Sequence, residues 1–137
     1  LGACGRAEAL AAKYGAAKAV RLEVAGGFHT TLMSSAAEAL REALLQSRIS
    51  WPTATMTIAN INGAFYQTAD EIVSGLTRQL TGAILWHKCM ERLLADGFEE
   101  FYEIGPGRVL TGLMKRISRR TKVTNVSDLA SVKAVVG

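Results

Sequence analysis

Cysteine is nearly missing from this chain: its 137 residues hold two, Cys4 and Cys89, far apart and in no C-x-x-C arrangement. That excludes a disulfide framework and a cysteine-built zinc site, and both thiols are expected to be packed, in a reducing compartment. No apolar run approaches the ~18 residues of a membrane helix. The opening Leu1-Gly2-Ala3-Cys4 has no initiator Met and neither the basic flank nor the apolar core of a signal peptide. The expectation is a chain that begins inside a longer protein, is not secreted and has no membrane span. A strong charge imbalance is also lacking. Sixteen Lys+Arg against 12 Asp+Glu leave +4, well short of a nucleic-acid arm, so no nucleic-acid partner is expected. His29 and His87 stand at no metal-ligand spacing and no carboxylate cluster joins them, so no metal site is expected. No serine sits in a G-x-S-x-G elbow. The chain shows no internal repeat, low-complexity segment or long linker.

What is present fits one domain of ordinary composition, 49% hydrophobic and 20% charged. An Ala-rich stretch over 3–14 predicts a helix stopped at Gly15. Residues 18–25 alternate, with Val20, Leu22 and Val24 against Arg21 and Glu23, which predicts a half-buried strand. A helix is expected over 31–46, with Met33, Ala36, Ala37, Leu40 and Leu44 on its apolar stripe and Thr30 or Thr31 as its cap. Trp51-Pro52 closes the next loop. The alternation of 53–58 predicts a strand, and Asn62-Gly63 a tight turn. Thr68 with Glu71 reads as a capping box opening a helix that runs to about Leu80. A further helix is expected over 86–96, ended by Gly97. A strand over 98–104 leads to a Gly105-Pro106-Gly107 turn. A helix over 108–119 should bury Val109, Leu110, Leu113, Met114 and Ile117. A strand over 122–126 and a helix over 128–135 finish the chain. This strand–helix alternation predicts an α/β layer structure with some parallel pairing.

The stretch that organises the rest is Gly26-Gly27-Phe28-His29-Thr30-Thr31-Leu32-Met33. A glycine break, a histidine and a helix cap in succession are how α/β enzymes present a catalytic group, and His29 is the candidate general base. A lone histidine is more often one that satisfies a backbone carbonyl, and the residues leave both readings open. No acidic partner is evident for its second ring nitrogen, and no nucleophile for it to serve. His87, beside Trp86 and Lys88, reads as a surface residue. Arg108, Lys115, Arg116, Arg119, Arg120 and Lys122 form a basic cluster with no acidic residue between positions 108 and 122. Such a patch attracts an acidic protein, a phosphorylated ligand or nucleic acid, and the lack of interleaved aromatics argues against a base-stacking surface.

Three motifs together resemble the malonyl-CoA:acyl carrier protein transacylase family. They are Gly27-Phe28-His29-Thr30 with Leu32-Met33, then Gln79-Leu80 with Trp86 downstream, then Glu103-Ile104-Gly105-Pro106-Gly107-Arg108-Val109-Leu110-Thr111-Gly112-Leu113. The resemblance covers the carboxyl-terminal half of the family's enzyme. It implies part of an α/β hydrolase-like large domain, residues 26–137, preceded by the end of an inserted ferredoxin-like small domain, residues 1–25. It implies transfer of a malonyl group from malonyl-CoA, a substrate rather than a cofactor, to the phosphopantetheine thiol of acyl carrier protein through a serine ester. The serine would lie outside this chain, so the chain alone is expected to be inactive. His29 would be the base, and Gln79 would join the catalytic set through its main-chain carbonyl, which orients the histidine. Phe28 would line the substrate site and favour malonyl over methylmalonyl. Arg108, Lys115, Arg116, Arg119 and Arg120 would face the acidic carrier protein. Thr31 and Ala83 stand where the family often has Pro, and Asn60, which also matches a family position, is read as structural. The resemblance implies a bacterial cytoplasmic or an organelle-matrix location. Two other readings remain: a non-catalytic basic α/β module docking an acidic partner, and the acyltransferase segment of a multidomain synthase.

Overall fold

The structure is a computed structural model that describes residues 2–50 and 54–137. Its elements run α1 (Gly2–Lys13), a 3-10 turn (Thr31–Met33), α2 (Ser34–Gln46), α3 (Ala69–Gln79), α4 (Trp86–Ala95), β1 (Glu100–Ile104), α5 (Val109–Ile117), β2 (Lys122–Val126) and α6 (Leu129–Val136). The expected mixture of helix and sheet is observed, and β1 pairs with β2 in parallel, Phe101 opposite Val123 and Glu103 opposite Asn125. The β1–α5–β2 unit is the crossover that parallel pairing requires.

The helices form where periodicity places them, and their ends are set by local chemistry. After α1 and α4 the chain enters a left-handed glycine, Gly15 at φ +79° and Gly97 at φ +89°. In each, paired bonds close the last turn: Ala16 N–H to Ala11 O at 2.9 Å with Gly15 N–H to Ala12 O, and Phe98 N–H to Leu93 O at 3.1 Å with Gly97 N–H to Leu94 O. That is the Schellman stop. Thr68 caps α3 by accepting from Glu71 N–H, but the reciprocal Glu71 carboxylate accepts from Gln67 N–H at 2.7 Å, one residue earlier than a capping box predicts. Asp128 and Ser131 form a full capping box on α6.

Two expected strands do not form. Residues 18–25 pair with nothing among the described residues, and Val20, Leu22 and Val24 are 61%, 75% and 69% exposed. Alternation marks a strand's faces, but a ladder needs a partner, and here the segment is tied to α1 through Arg21 and Glu8 at 2.9 Å. Of the strand expected over 53–58, Thr53 lies outside the described residues, as does Trp51-Pro52. The remainder makes one antiparallel bridge, Ile58 to Phe65, across the Asn62-Gly63 turn. That hairpin docks on α4. Cys89 Sγ–H points at Ala59 O from 3.5 Å, and the Arg92 guanidinium lies 5.2 Å from the Phe65 ring centroid.

The core is Cys89, Met90 and Met114, packed with Trp86, Leu93, Phe101, Ile117 and Val123, so α4 and α5 cover one face of the two strands. Only one of the two thiols is packed as expected: Cys89 is buried and Cys4 is exposed. Burial pushes the Cys89 thiol up from its ordinary value, which makes it inert packing.

The inward face of α5 differs from the expectation. Val109 and Leu110 are 71% and 41% exposed, while Thr111 is buried. The reason is Glu103. Its carboxylate accepts from Leu110 N–H at 2.9 Å, Thr111 N–H at 2.8 Å, the Thr111 hydroxyl, and Asn125 Nδ2–H at 2.9 Å. Arg108, at the N-cap position, offers no side-chain cap, so an acid from β1 closes the first turn of α5 and ties in β2. The hydroxyl of Thr111 and then its backbone N–H, with the other donors, hold the Glu103 carboxyl below the usual carboxylate range. The stability this confers is present above that range and is lost as pH falls through the folded-state value. Glu103→Gln should therefore lower Tm by several degrees at neutral pH. The gap from wild type should close in acid, as read by thermal unfolding across a pH series.

Candidate functional site

His29 sits in the turn between the unpaired 18–25 segment and α2. Its backbone is left-handed, φ +62°, the one non-glycine residue so placed among those described. That conformation costs about 1–2 kcal/mol for a residue with a Cβ, and it clusters where function constrains the chain. Local bonds hold it there: the Thr30 hydroxyl donates to Gly27 O at 2.6 Å, and Thr30 Oγ1 accepts from Leu32 N–H. Of the two expected caps, Thr30 is the one used, on the 3-10 turn that leads into α2.

The imidazole reaches across 50 residues of sequence. Nδ1 lies 2.8 Å from the main-chain oxygen of Gln79, the last residue of α3. A carbonyl oxygen can only accept, so Nδ1 carries the proton and donates it. In the neutral imidazole Nε2 then keeps a free lone pair, and the residue is exposed. This is the protonation pattern a general base needs, with a main-chain carbonyl in the place an acid occupies in a Ser-His-Asp triad. The two readings of His29 left open by the sequence are thus compatible: it satisfies a carbonyl, and it presents a basic nitrogen.

The register between the two partners comes from packing. The α2 stripe that holds His29 at its entrance is the one the sequence marks, with Ala37 buried and Met33, Ala36, Leu40 and Leu44 half-buried. It rests on α3, whose carboxyl end presents Gln79. The Gln79 side chain turns the other way, donating from Nε2 to Gly82 O at 3.1 Å and Ala83 O at 3.2 Å.

The other sequence candidates divide cleanly. Phe28 adjoins His29, is 57% exposed, and lies over Gly26. Arg108, Lys115, Arg116, Arg119 and Arg120 are exposed and form no ion pair among the described residues, whereas Lys122 is paired with Glu100 at 3.0 Å. His87 is a surface residue as expected, 3.1 Å from Glu91 one helical turn on. Among the described residues no group of three His, Cys, Asp or Glu side chains could hold a metal ion, and no helix is long and apolar enough to cross a membrane. An apolar cavity of about 220 Å³ lies between α4, β1 and α5, but Phe28, His29 and Gln79 do not line it. Sequence reasoning missed the Glu103–Thr111–Asn125 cluster. Its only signal was a carboxylate placed just before a Gly-Pro-Gly turn and a helix without a cap.

No family model matches the chain. It is 36% identical over 130 residues, 95% of its length, to the malonyl CoA-acyl carrier protein transacylase of Bacillus subtilis, and covers 41% of that relative. Against the transacylase of Escherichia coli K12 it is 38% identical over 131 residues, 96% of this chain and 42% of that one. Its fold superposes with a TM-score of 0.88, at 34% identity, on a malonyl-transacylase solved in complex with a type II PKS acyl-carrier protein, covering 98% of this chain and 43% of that one. Nearly the whole length of the chain is therefore similar to malonyl CoA-acyl carrier protein transacylases, and it spans about two fifths of the curated relatives it matches.

The geometry makes a direct spectroscopic demand. In the neutral imidazole, ¹⁵N shifts should report His29 as the Nδ1–H tautomer, with Nε2 unprotonated. A ring dominated by Nε2–H would contradict the bond to Gln79.

Proposed function

We propose that this chain supplies the base-bearing part of an enzyme that transfers a malonyl group from malonyl-CoA to the phosphopantetheine thiol of an acyl carrier protein. The observation that carries the reading is the His29 Nδ1–H bond to the Gln79 carbonyl on an exposed turn, which in the neutral ring keeps the proton off Nε2. The relatives' names and the neighbour's carrier-protein complex support the substrate and the partner. Residues 1–25 are read as the end of a ferredoxin-like small domain, and 26–137 as part of an α/β hydrolase-like domain. The way α1 is tied to the 18–25 segment through Glu8 and Arg21 supports a division near residue 25.

In this reading a serine on polypeptide outside the chain is the nucleophile. His29 Nε2 takes its hydroxyl proton as Oγ attacks the malonyl thioester carbonyl. The tetrahedral intermediate collapses with cleavage of the C–S bond, and the imidazolium returns the proton to the coenzyme A thiolate. In the second half Nε2 takes the proton of the carrier's thiol, the sulfur attacks the malonyl-serine ester, and the proton passes to the departing serine oxygen. Nδ1–H stays on the Gln79 carbonyl throughout, because it is a donor in both neutral and charged imidazole. Phe28, next to the base, fills the space an α-methyl group on the acyl chain would need. No cofactor enters the chemistry, and the reducing compartment is the cytoplasm or an organelle matrix.

Arg108, Lys115, Arg116, Arg119 and Arg120 are exposed cations on and beside α5, suited to the acidic surface of a carrier protein. In a complete enzyme, His29→Ala should lower the rate of serine malonylation by about 100-fold or more, the usual worth of a positioned base. Loading at the normal rate, read by intact-protein mass spectrometry after rapid quench, would remove this function. Arg116→Glu with Arg119→Glu should raise the apparent KM for carrier protein several-fold while leaving malonyl-CoA kinetics alone. An effect confined to malonyl-CoA would reassign the face to the coenzyme.

A further inference from the structure

The way α3 ends is unlike the way α1 and α4 end. Those helices stop at a left-handed glycine with paired closing bonds. After α3 the cap residue, Leu80, is still right-handed helical at φ −63°, ψ −30°, and no left-handed residue follows before α4. The last bonds tighten instead to the 3-10 pattern: Leu80 N–H to Thr77 O at 3.4 Å and Thr81 N–H to Arg78 O at 3.3 Å. Were the helix to continue, Ala83 N–H would donate to Gln79 O. It does not, and among the described residues no backbone N–H donates to Gln79 O.

What stands in that place is the Gln79 side chain. Its Nε2 donates to the carbonyls of both Gly82 and Ala83, so these residues present oxygens rather than an N–H toward the end of the helix. The orientation of the amide follows from the same contacts, since the opposite one would set Oε1 against two carbonyl oxygens. The amide is also committed at a cost: Oε1 is buried without a partner. Gly82 completes the arrangement, because a Cβ there would overlap Ile61 Cδ1 and lie 3.0 Å from Arg78 O.

We infer that the Gln79 carboxamide is a positioning residue. It ends α3 by capturing the two following carbonyls, and so reserves Gln79's own main-chain oxygen for His29 Nδ1. This rests on His29 acting as proposed above. It goes further by assigning the tautomer of the base to a side chain that touches neither the imidazole nor the substrate.

The experiment uses the complete enzyme, with Gln79→Glu, which keeps the volume but cannot donate when ionised, and Gln79→Ala. Each should lower kcat for serine malonylation by up to about 100-fold, which a misplacement of about 1 Å can cost. KM for malonyl-CoA should stay within twofold, and the His29 ¹⁵N shifts should move toward mixed tautomers. Adding Ala83→Pro to Gln79→Ala should restore most of the lost rate, because proline has no N–H to compete for the Gln79 oxygen and disfavours helix at the residue before it. Unchanged kcat in both single variants overturns the inference. So does a fall in kcat with the tautomer unmoved, or variants that lose their fold and nothing else. His29→Ala, measured alongside, separates the failures. If it loads serine at the normal rate, the function falls; if it is inactive while Gln79→Glu is fully active, only the role of the carboxamide falls.

Discussion

One hydrogen bond sets the terms for this molecule: the Nδ1–H of His29 on the main-chain oxygen of Gln79, 2.8 Å long and spanning 50 residues. A carboxylate in that place would add a charge and a titration of its own. A peptide carbonyl adds neither, and it accepts from Nδ1 whether or not Nε2 is protonated. The bond can thus persist through a cycle in which the other nitrogen gains and loses a proton. Helix carboxyl ends have carbonyls to spare, since the last four lack intrahelical donors. The fold uses one of these rather than leaving it to water.

For that bond to form, a turn and a helix end must be held in register, and most of the packing serves this. Thr30 fixes the turn, α2 leaves it directly, and the apolar stripe of α2 rests on α3. Beyond α3, the Leu85 N–H bond to Asn60 O at 2.8 Å joins the loop to the hairpin, and Cys89 ties the hairpin to α4. The left-handed strain at His29 is tolerable because several independent contacts determine the same geometry. The Glu103 cluster does for the other end of the chain what Thr30 does here, closing a helix start with a side chain from outside the helix.

The helices were legible in the sequence because their determinants are local: a periodic stripe, a cap, a glycine stop. The 18–25 and 53–58 segments were not, because alternation reports only which way side chains point, and a strand exists by virtue of its partner. Val109 and Leu110 misled for a related reason. The face of α5 is rotated by Glu103, six and seven residues earlier on β1, and no periodicity within the helix encodes that. His29 stood out by its setting, while Gln79 could be reached only through family resemblance. A main-chain carbonyl leaves no residue-type signature, so chemistry alone pointed to a missing acid. The basic cluster was legible as charge. Which of its members is free was not, since the pairing of Lys122 with Glu100 depends on the register of β1 with β2.

The uncovered surfaces bear on how such a site is assembled. Strands paired in parallel are ordinarily covered on both faces. Here α4 and α5 cover the side bearing Phe101 and Val123, while Tyr102 and Ile104 on the other side of β1 are 49% and 82% exposed. Leu32, one turn from the base, is 80% exposed. In the proposed function the nucleophile arrives on polypeptide beyond this chain. In that reading a segment covering Leu32, three residues from His29, would also shield the base from water and limit the directions from which a serine can approach.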